Sequence, residues 1–276
     1  MRIGIFAKTF PGETPLAVLS AAQEAGYDTV QYNLACSGLG ALPSVVPEAA
    51  LGAIQQAVLA TGVTIAAVSA TYNMIHPHQA VRDAGRDAFT AIAEAARTMG
   101  CPVITVCTGT RDPLDQWRHH PDNATTSAWD DAMTEMSLLL PIAERHGLTI
   151  GVEPELANVV SSAARARDML DVLDHPALGI VLDPANLFET QAGFRDGAVV
   201  DEAIELLADR IILAHAKDRR ADGGFVAAGS GIIDMSRFIA RLRHRGFDGA
   251  LITHGLSAEE APHVAATLRG CLENAA

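Results

Sequence analysis

The stretch 148-LTIGVEPELANVVSSAARARDMLDVLDHPALGIVLD-183 decides the fold. An apolar run, 148-LTIGVEPE-155, is followed by the helical pattern Ser161–Leu173 and then by a second apolar run, 178-LGIVLD-183. Neither run alternates apolar with polar residues, so each reads as a strand covered on both faces. Two such strands joined by a helix are parallel and belong to a βαβ crossover. Both runs close on an acid, Glu153 in one and Asp183 in the other.

The same unit repeats in both directions. Towards the C-terminus come Asp196–Ala208, 210-RIILAHAKD-218, Asp234–Arg245 and 249-GALITHG-255; a last helix begins at 257-SAEE-260, where Ser257 and Glu260 have capping-box spacing. Towards the N-terminus lie 2-RIGIFA-7, 29-TVQYNLA-35, 63-VTIAAVSA-70 and 102-PVITVCTG-109. The helical patterns among them are Thr14–Ala25, Leu51–Thr61, Ala80–Met99 and Ala128–His146, each followed by the Gly that a left-handed C-cap favours. In the third, Val81, Ala84, Ala88, Ile92 and Ala96 recur at three or four residues. Eight strands alternating with eight helices predict an α/β chain folded as a (β/α)8 TIM barrel, one domain over 1–276; an open doubly wound sheet is the alternative. The longest loop, 109-GTRDPLDQWRHHPDNATTS-127, is expected to be functional or mobile.

Composition narrows the function. The 276 residues carry 20 Lys and Arg against 33 Asp and Glu, a formal charge of −13. Such a surface repels nucleic acid and anionic membranes, so neither is expected as a partner. Cys36, Cys101, Cys107 and Cys271 form no CxxC pair and read as reduced thiols. MRIGIFAKTF reads as a strand rather than a leader, and no apolar stretch approaches ~18 residues. A cytoplasmic protein is expected.

In a barrel the active site lies at the C-terminal ends of the strands. Strands five to eight end in Glu153, Asp183, His215 and His254, at gaps of 30, 32 and 39 residues, about one βα unit each. A lone His or carboxylate at a strand end is usually structural. Four on neighbouring strands predict one metal site, and mixed carboxylate and imidazole donors suit Mn²⁺, Co²⁺, Zn²⁺ or Fe²⁺, with Mg²⁺ also admitted.

The chain resembles the xylose-isomerase-like TIM-barrel superfamily: sugar-phosphate isomerases and epimerases, ketose 3-epimerases, inosose dehydratases and, more remotely, endonuclease IV. The carriers are 68-VSATYNMIHP-77, 107-CTGTRDP-113, 151-GVEPE-155, 180-IVLDPANL-187, 215-HAKD-218 and 228-AGSGIID-234. The resemblance implies metal ligands Glu, Asp, His and Glu, which Glu153, Asp183 and His215 match; His254 stands where the family usually has Glu. It further implies acid–base roles for the two Glu residues, of which only Glu153 keeps its carboxylate. Where the family often has His, Asn186 can hydrogen-bond a hydroxyl but not exchange protons.

These residues predict a sugar or sugar-phosphate isomerase or epimerase. A divalent ion polarises a carbonyl, Glu153 or an unligated His254 removes the α proton, and Lys217 helps hold the ene-diolate. A substrate-binding ring is expected from Asn73, His76, Thr108, Arg111, Glu155, Asn158 and Asn186. A lyase acting on a keto-sugar or inosose, C-glycoside cleavage included, is the alternative, and a non-catalytic sugar-binding protein the second. The partner is a small sugar, with a second copy of the chain admitted. Around the site, Asp218 is expected to pair with a nearby cation, given Arg219 and Arg220. Gly229-Ser-Gly231 lacks a nucleotide fingerprint but admits a barrel phosphate site. His76 and His78, split by Pro77, read as a surface loop.

Overall fold

The computed structural model describes residues 1–275. Eight parallel strands close into a ring: β1 (Arg2–Phe6), β2 (Thr29–Tyr32), β3 (Thr64–Ser69), β4 (Val103–Val106), β5 (Thr149–Val152), β6 (Leu178–Leu182), β7 (Ile211–Arg219) and, past a short β8 (Phe225–Ala227), β9 (Ala250–Thr253). Neighbours in sequence pair in space, and β1 pairs with β9 through Gly4↔Ile252 and its flanking residues, which closes the barrel. The helices pack outside: α1 (Pro15–Glu24), α2 (Glu48–Thr61), α3 (Gln79–Thr98), α4 (Thr126–Arg145), α5 (Ala163–Leu173), α6 (Gln191–Phe194), α7 (Ala198–Leu207), α8 (Met235–His244) and α9 (Ala261–Asn274). This is the expected (β/α)8 TIM barrel. Among the described residues, no helix is long and apolar enough to cross a membrane.

Local chemistry starts and stops the helices. Thr125, Ser162 and Asp234 accept backbone N–H bonds at the N-termini of α4, α5 and α8. Ser257 Oγ accepts from Glu260 N while Glu260 Oε2 accepts from Ser257 N, the reciprocal box its spacing predicts, although α9 itself begins only at Ala261. Gly62 and Gly147 follow α2 and α4 at φ +72° and +68°, where a Cβ would be strained.

Two elements depart from expectation. The helix expected from Asp196 starts at Ala198, because Arg195 and Asp196 sit at φ +49° and +53°; that kink separates the four-residue α6 from α7. After β7 the chain turns back at Gly223–Gly224, and β8 pairs antiparallel with it, Lys217↔Ala227 to Arg219↔Phe225. The strand-seven end therefore carries a hairpin over the barrel mouth.

The core has two layers. Phe89, Ile92, Leu139, Ile204, Phe238 and Leu268 belong to the layer that also holds the helix faces. Inside the barrel, Ala67, Val103, Val181, Leu213, Ala250 and Ile252 form a second, smaller plug. Side chains two apart along a strand share a face. Hence Asp183, His215 and His254, each two residues beyond Val181, Leu213 and Ile252, point into the barrel just above its plug.

Candidate metal centre and active site

Glu153, Asp183, His215 and His254 each offer one ligand atom, and those four atoms lie within 4.8 Å of one another. Asp183 sits at the centre and is fully buried. Its Oδ1 accepts from Ala185 N at 2.8 Å, while Oδ2 lies 3.1 Å from His254 Nε2, 3.6 Å from His215 Nδ1 and 3.7 Å from Lys217 Nζ. Glu153 Oε1 is 3.2 Å from His215 Nδ1 and accepts from Asn186 Nδ2 at 2.9 Å. Asn186 Oδ1 in turn accepts from Lys217 Nζ at 3.1 Å, and that ammonium stacks 3.7 Å from the Phe225 ring centroid. The β7–β8 hairpin supplies this lid of aromatic carbon.

The charges are arranged to receive a cation. Two carboxylate charges within 4.8 Å repel by at least about 3.5 kcal/mol at an effective dielectric constant near 20. Burial works against charging His215, but Glu153 and Asp183 outweigh it and lift the imidazole to about 9. Burial would raise Asp183, yet the Lys217 charge and the bonds from His215 and His254 hold it well below the usual carboxylate range. His254 is lowered, by burial first and by the neighbouring His215 second, so it stands neutral with a ligating lone pair. Two carboxylate oxygens and two imidazole nitrogens, His215 becoming a donor once its extra proton leaves, fit a borderline divalent ion.

The cluster opens into a cavity of about 480 Å³ whose wall includes Gln31, Trp117, Glu155, Asn186, Lys217 and Phe225. Burial, then repulsion from Glu153, raises the Glu155 carboxyl to about 7, with Lys217 opposing. Of the expected substrate-binding residues, Glu155 and Asn186 line this cavity.

The other five do not, and their polar atoms are engaged in loop structure. Asn73 accepts from Thr110 N and donates to Asp112 O. Both His76 ring nitrogens are taken, Nδ1 by His78 N and Nε2 by Pro113 O. Thr108 Oγ1 accepts from Val160 N. Arg111 reaches Ile75 O and the Asp131 carboxylate. Asn158 Oδ1 accepts from Gly109 N at 2.7 Å. Together these bonds fasten the long loop after β4 to the loops after β3 and β5.

Asp218 does not pair with Arg219 or Arg220 side chains as expected. Its fully buried carboxylate accepts four backbone N–H bonds, from Arg219 at 2.8 Å, Gly229 at 3.1 Å, Gly231 at 2.8 Å and Ile233 at 3.0 Å. The amides that could have bound a phosphate thus already hold an anion. A Cβ on Gly231 would lie 2.3 Å from Asp218 Oδ1 and from Arg219 O, so glycine is required there.

Sequence reasoning missed Gln31. It is a buried amide within β2 whose Oε1 lies 2.8 Å from His215 Nε2 and whose Nε2 donates to Thr105 Oγ1 at 3.1 Å. The signal was there: the one amide within the four-residue strand 29-TVQY-32.

The family model described as xylose isomerase-like TIM barrel matches residues 19–273. The 3-oxo-isoapionate decarboxylase of Pectobacterium atrosepticum is 32% identical over 126 residues, 41% of this chain; the match spans 42% of that relative's length. The crystal structure of 3-keto-D-glucoside 4-epimerase from E. coli superposes with a TM-score of 0.77 at 18% identity, over 98% of this chain and 100% of that one. An IolI protein with a bound zinc atom superposes with a TM-score of 0.75 at 16% identity, over 100% and 99%. At those identities the structural likeness speaks for the fold. With the family match running over nearly all of the barrel, the chain belongs to the xylose isomerase-like TIM-barrel family.

Proposed function

We propose that the chain is a metal-dependent sugar isomerase or epimerase that moves the proton α to the carbonyl of an unphosphorylated keto-sugar. One observation carries this reading: four donors from four consecutive barrel strands within 4.8 Å, beside a buried lysine, at a cavity lined by both polar and aromatic side chains. Glu153, Asp183, His215 and His254 would hold the ion. When bound, a divalent ion supplies Lewis-acid polarisation of a carbonyl oxygen and compensates the charge that develops there. Glu153 takes the α proton. Lys217 Nζ, directed by Asn186 and by the Phe225 face, offers a donor to the developing oxyanion. Glu155, held near 7, exchanges a proton at neutral pH and supplies the second acid–base group that His254 cannot offer as a carboxylate. Occupation of the Gly229–Gly231 amides by Asp218 favours a substrate without phosphate.

A second reading is a lyase on the same site. The matched segment of a 3-oxo-isoapionate decarboxylase favours it, as does the single strand-end glutamate. Loss of CO₂ from a β-keto acid leaves an enolate without proton removal, so one acid for reprotonation suffices.

The test is in two steps. Protein purified without chelator is expected to carry about one Mn, Co, Zn or Fe per chain, lost in Glu153→Ala. The loaded protein is then given ketoses and keto-sugars in D₂O. Deuterium entering the α position with no net loss of mass supports the isomerase. Released CO₂, or an absorbing enone, replaces it by a decarboxylase or dehydratase. Thermal stabilisation by sugar with no turnover replaces it by a binding protein.

A further inference from the structure

His215 has two ring nitrogens, and only one faces the ligand cluster. Nδ1 points at Glu153 Oε1 (3.2 Å) and Asp183 Oδ2 (3.6 Å); Nε2 points the other way, to Gln31 Oε1 at 2.8 Å. A neutral imidazole has one N–H and one lone pair, and the partner of one nitrogen decides the state of the other.

We propose that Gln31 is a positioning residue which pins the His215 proton on Nε2 and so leaves the Nδ1 lone pair free as the ligand atom. The inference rests on the metal-dependent reading above and names what makes one of its four ligands competent.

An amide oxygen cannot donate. With Oε1 against the ring, the shared hydrogen must belong to His215 Nε2. The other end of the amide is held by its own bond, Nε2 to Thr105 Oγ1 at 3.1 Å. His215, Gln31 and Thr105 are 2%, 6% and 3% exposed, so a lost partner leaves a largely buried group short of a hydrogen bond. Reversing the amide would aim N–H at the ring, force the ring proton onto Nδ1, and plug the ligand cluster with a hydrogen. The Thr105 hydroxyl can serve either orientation, so amide and ring proton change together and the acceptor on Gln31 is the deciding atom. Backbone geometry brings the three together. Gln31 lies within β2, opposite Phe6 of β1 and Ala67 of β3, and its amide reaches β4 through Thr105 and β7 through His215 inside the barrel.

The experiment uses Zn²⁺ as probe, because it is diamagnetic and binds imidazole. Zn²⁺ affinity is measured by chelator competition for the parent, Gln31→Met, Gln31→Glu and Thr105→Val. Long-range ¹H–¹⁵N spectra of histidine-labelled, Zn²⁺-loaded protein report which His215 nitrogen carries hydrogen. We expect a proton on Nε2 in the parent, an affinity about 10–100-fold weaker in Gln31→Met, and affinity recovered in Gln31→Glu, which keeps an acceptor. If Gln31→Met does not fold, Thr105→Val decides, since it frees the amide to reverse without removing it; weaker binding with a new Nδ1–H signal supports the proposal. Unchanged affinity in the folded variants, or a parent with the proton on Nδ1, overturns it. A parent that binds no Zn²⁺ brings down the metal-dependent reading itself and this inference with it; a parent that binds equally well with or without the Gln31 acceptor brings down only the role of Gln31.

Discussion

Asn186 holds two charged groups with one amide: its nitrogen bonds Glu153 and its oxygen the Lys217 ammonium. A hydrogen bond to a charged group contributes about 1.5–3 kcal/mol. Asn186→Ala removes both, so kcat/KM is expected to fall about 10–100-fold, and Tm falls with it by about 2–4 °C for each kcal/mol lost. An equal kcat/KM would show that the bridge positions nothing. His215 makes a second, pH-dependent prediction. Its folded value near 9 lies above the ordinary 6.5, so its bound proton stabilises the metal-free protein fully below about 6.5 and less and less up to about 9. A metal ion must displace that proton. Affinity is therefore expected to rise with pH across this window, with about one proton released per ion; calorimetry in two buffers of different ionisation enthalpy counts it. The four-residue cluster was legible in the sequence because its members lie at the mouth end of four consecutive barrel strands, and period two then decides where three of them point, although β7 runs on past His215 into the hairpin. Asn73, His76, Thr108, Arg111 and Asn158 follow strand ends or sit in the adjoining loops too, but loop backbone, and for Arg111 also the Asp131 carboxylate, claims their polar atoms, and nothing in residue type marks that difference. Gln31 was hidden for the opposite reason, lying within β2 rather than at the strand ends where a barrel gathers its active-site residues.

At the scale of elements, the hairpin of β7 and β8 depends on one carboxylate. Asp218 satisfies four backbone N–H groups from its own neighbour and from the loop that follows β8. Asp218→Ala leaves them buried without partners, at about 1–3 kcal/mol each when no water enters. We expect a loss of at least about 3 kcal/mol by denaturant titration, together with reduced activity, because Phe225 would no longer be held over Lys217. Stability within about 0.5 kcal/mol of the parent would mean that the loop reorganises freely. The regular helices were legible from periodicity and terminal glycines. The kink at Arg195–Asp196 was not, since non-glycine residues at positive φ leave no sequence signal. Nor was β8, whose three residues are too few to show a period.

On the scale of the whole molecule, the barrel is a ring that residues distant in sequence must close. The Met1 ammonium bonds Asp248, and β1 pairs with β9. Behind that seam, Tyr27 Oη donates to Ala261 O at 2.9 Å and accepts from Thr253 Oγ1 at 3.2 Å, tying the start of β2 to the end of β9 and the start of α9. Tyr27→Phe is expected to cost about 1–3 kcal/mol, a fall in Tm of about 2–4 °C per kcal/mol, with kcat unchanged because the hydroxyl faces away from the cavity. An unchanged Tm would show that the seam holds without it. Barrel closure was legible from the count of βα units alone, whereas the seam contacts were not, since no local pattern announces a partner more than two hundred residues away.

The carboxylate of Asp218 has an evolutionary corollary. A pocket that supplies its own counter-ion is one codon change from an empty one: replacing Asp with Ala or Gly would vacate the same ring of amides beside the barrel mouth. Recruitment of phosphorylated sugars by a descendant would then begin with the loss of an anion from the chain, not with the gain of a cation.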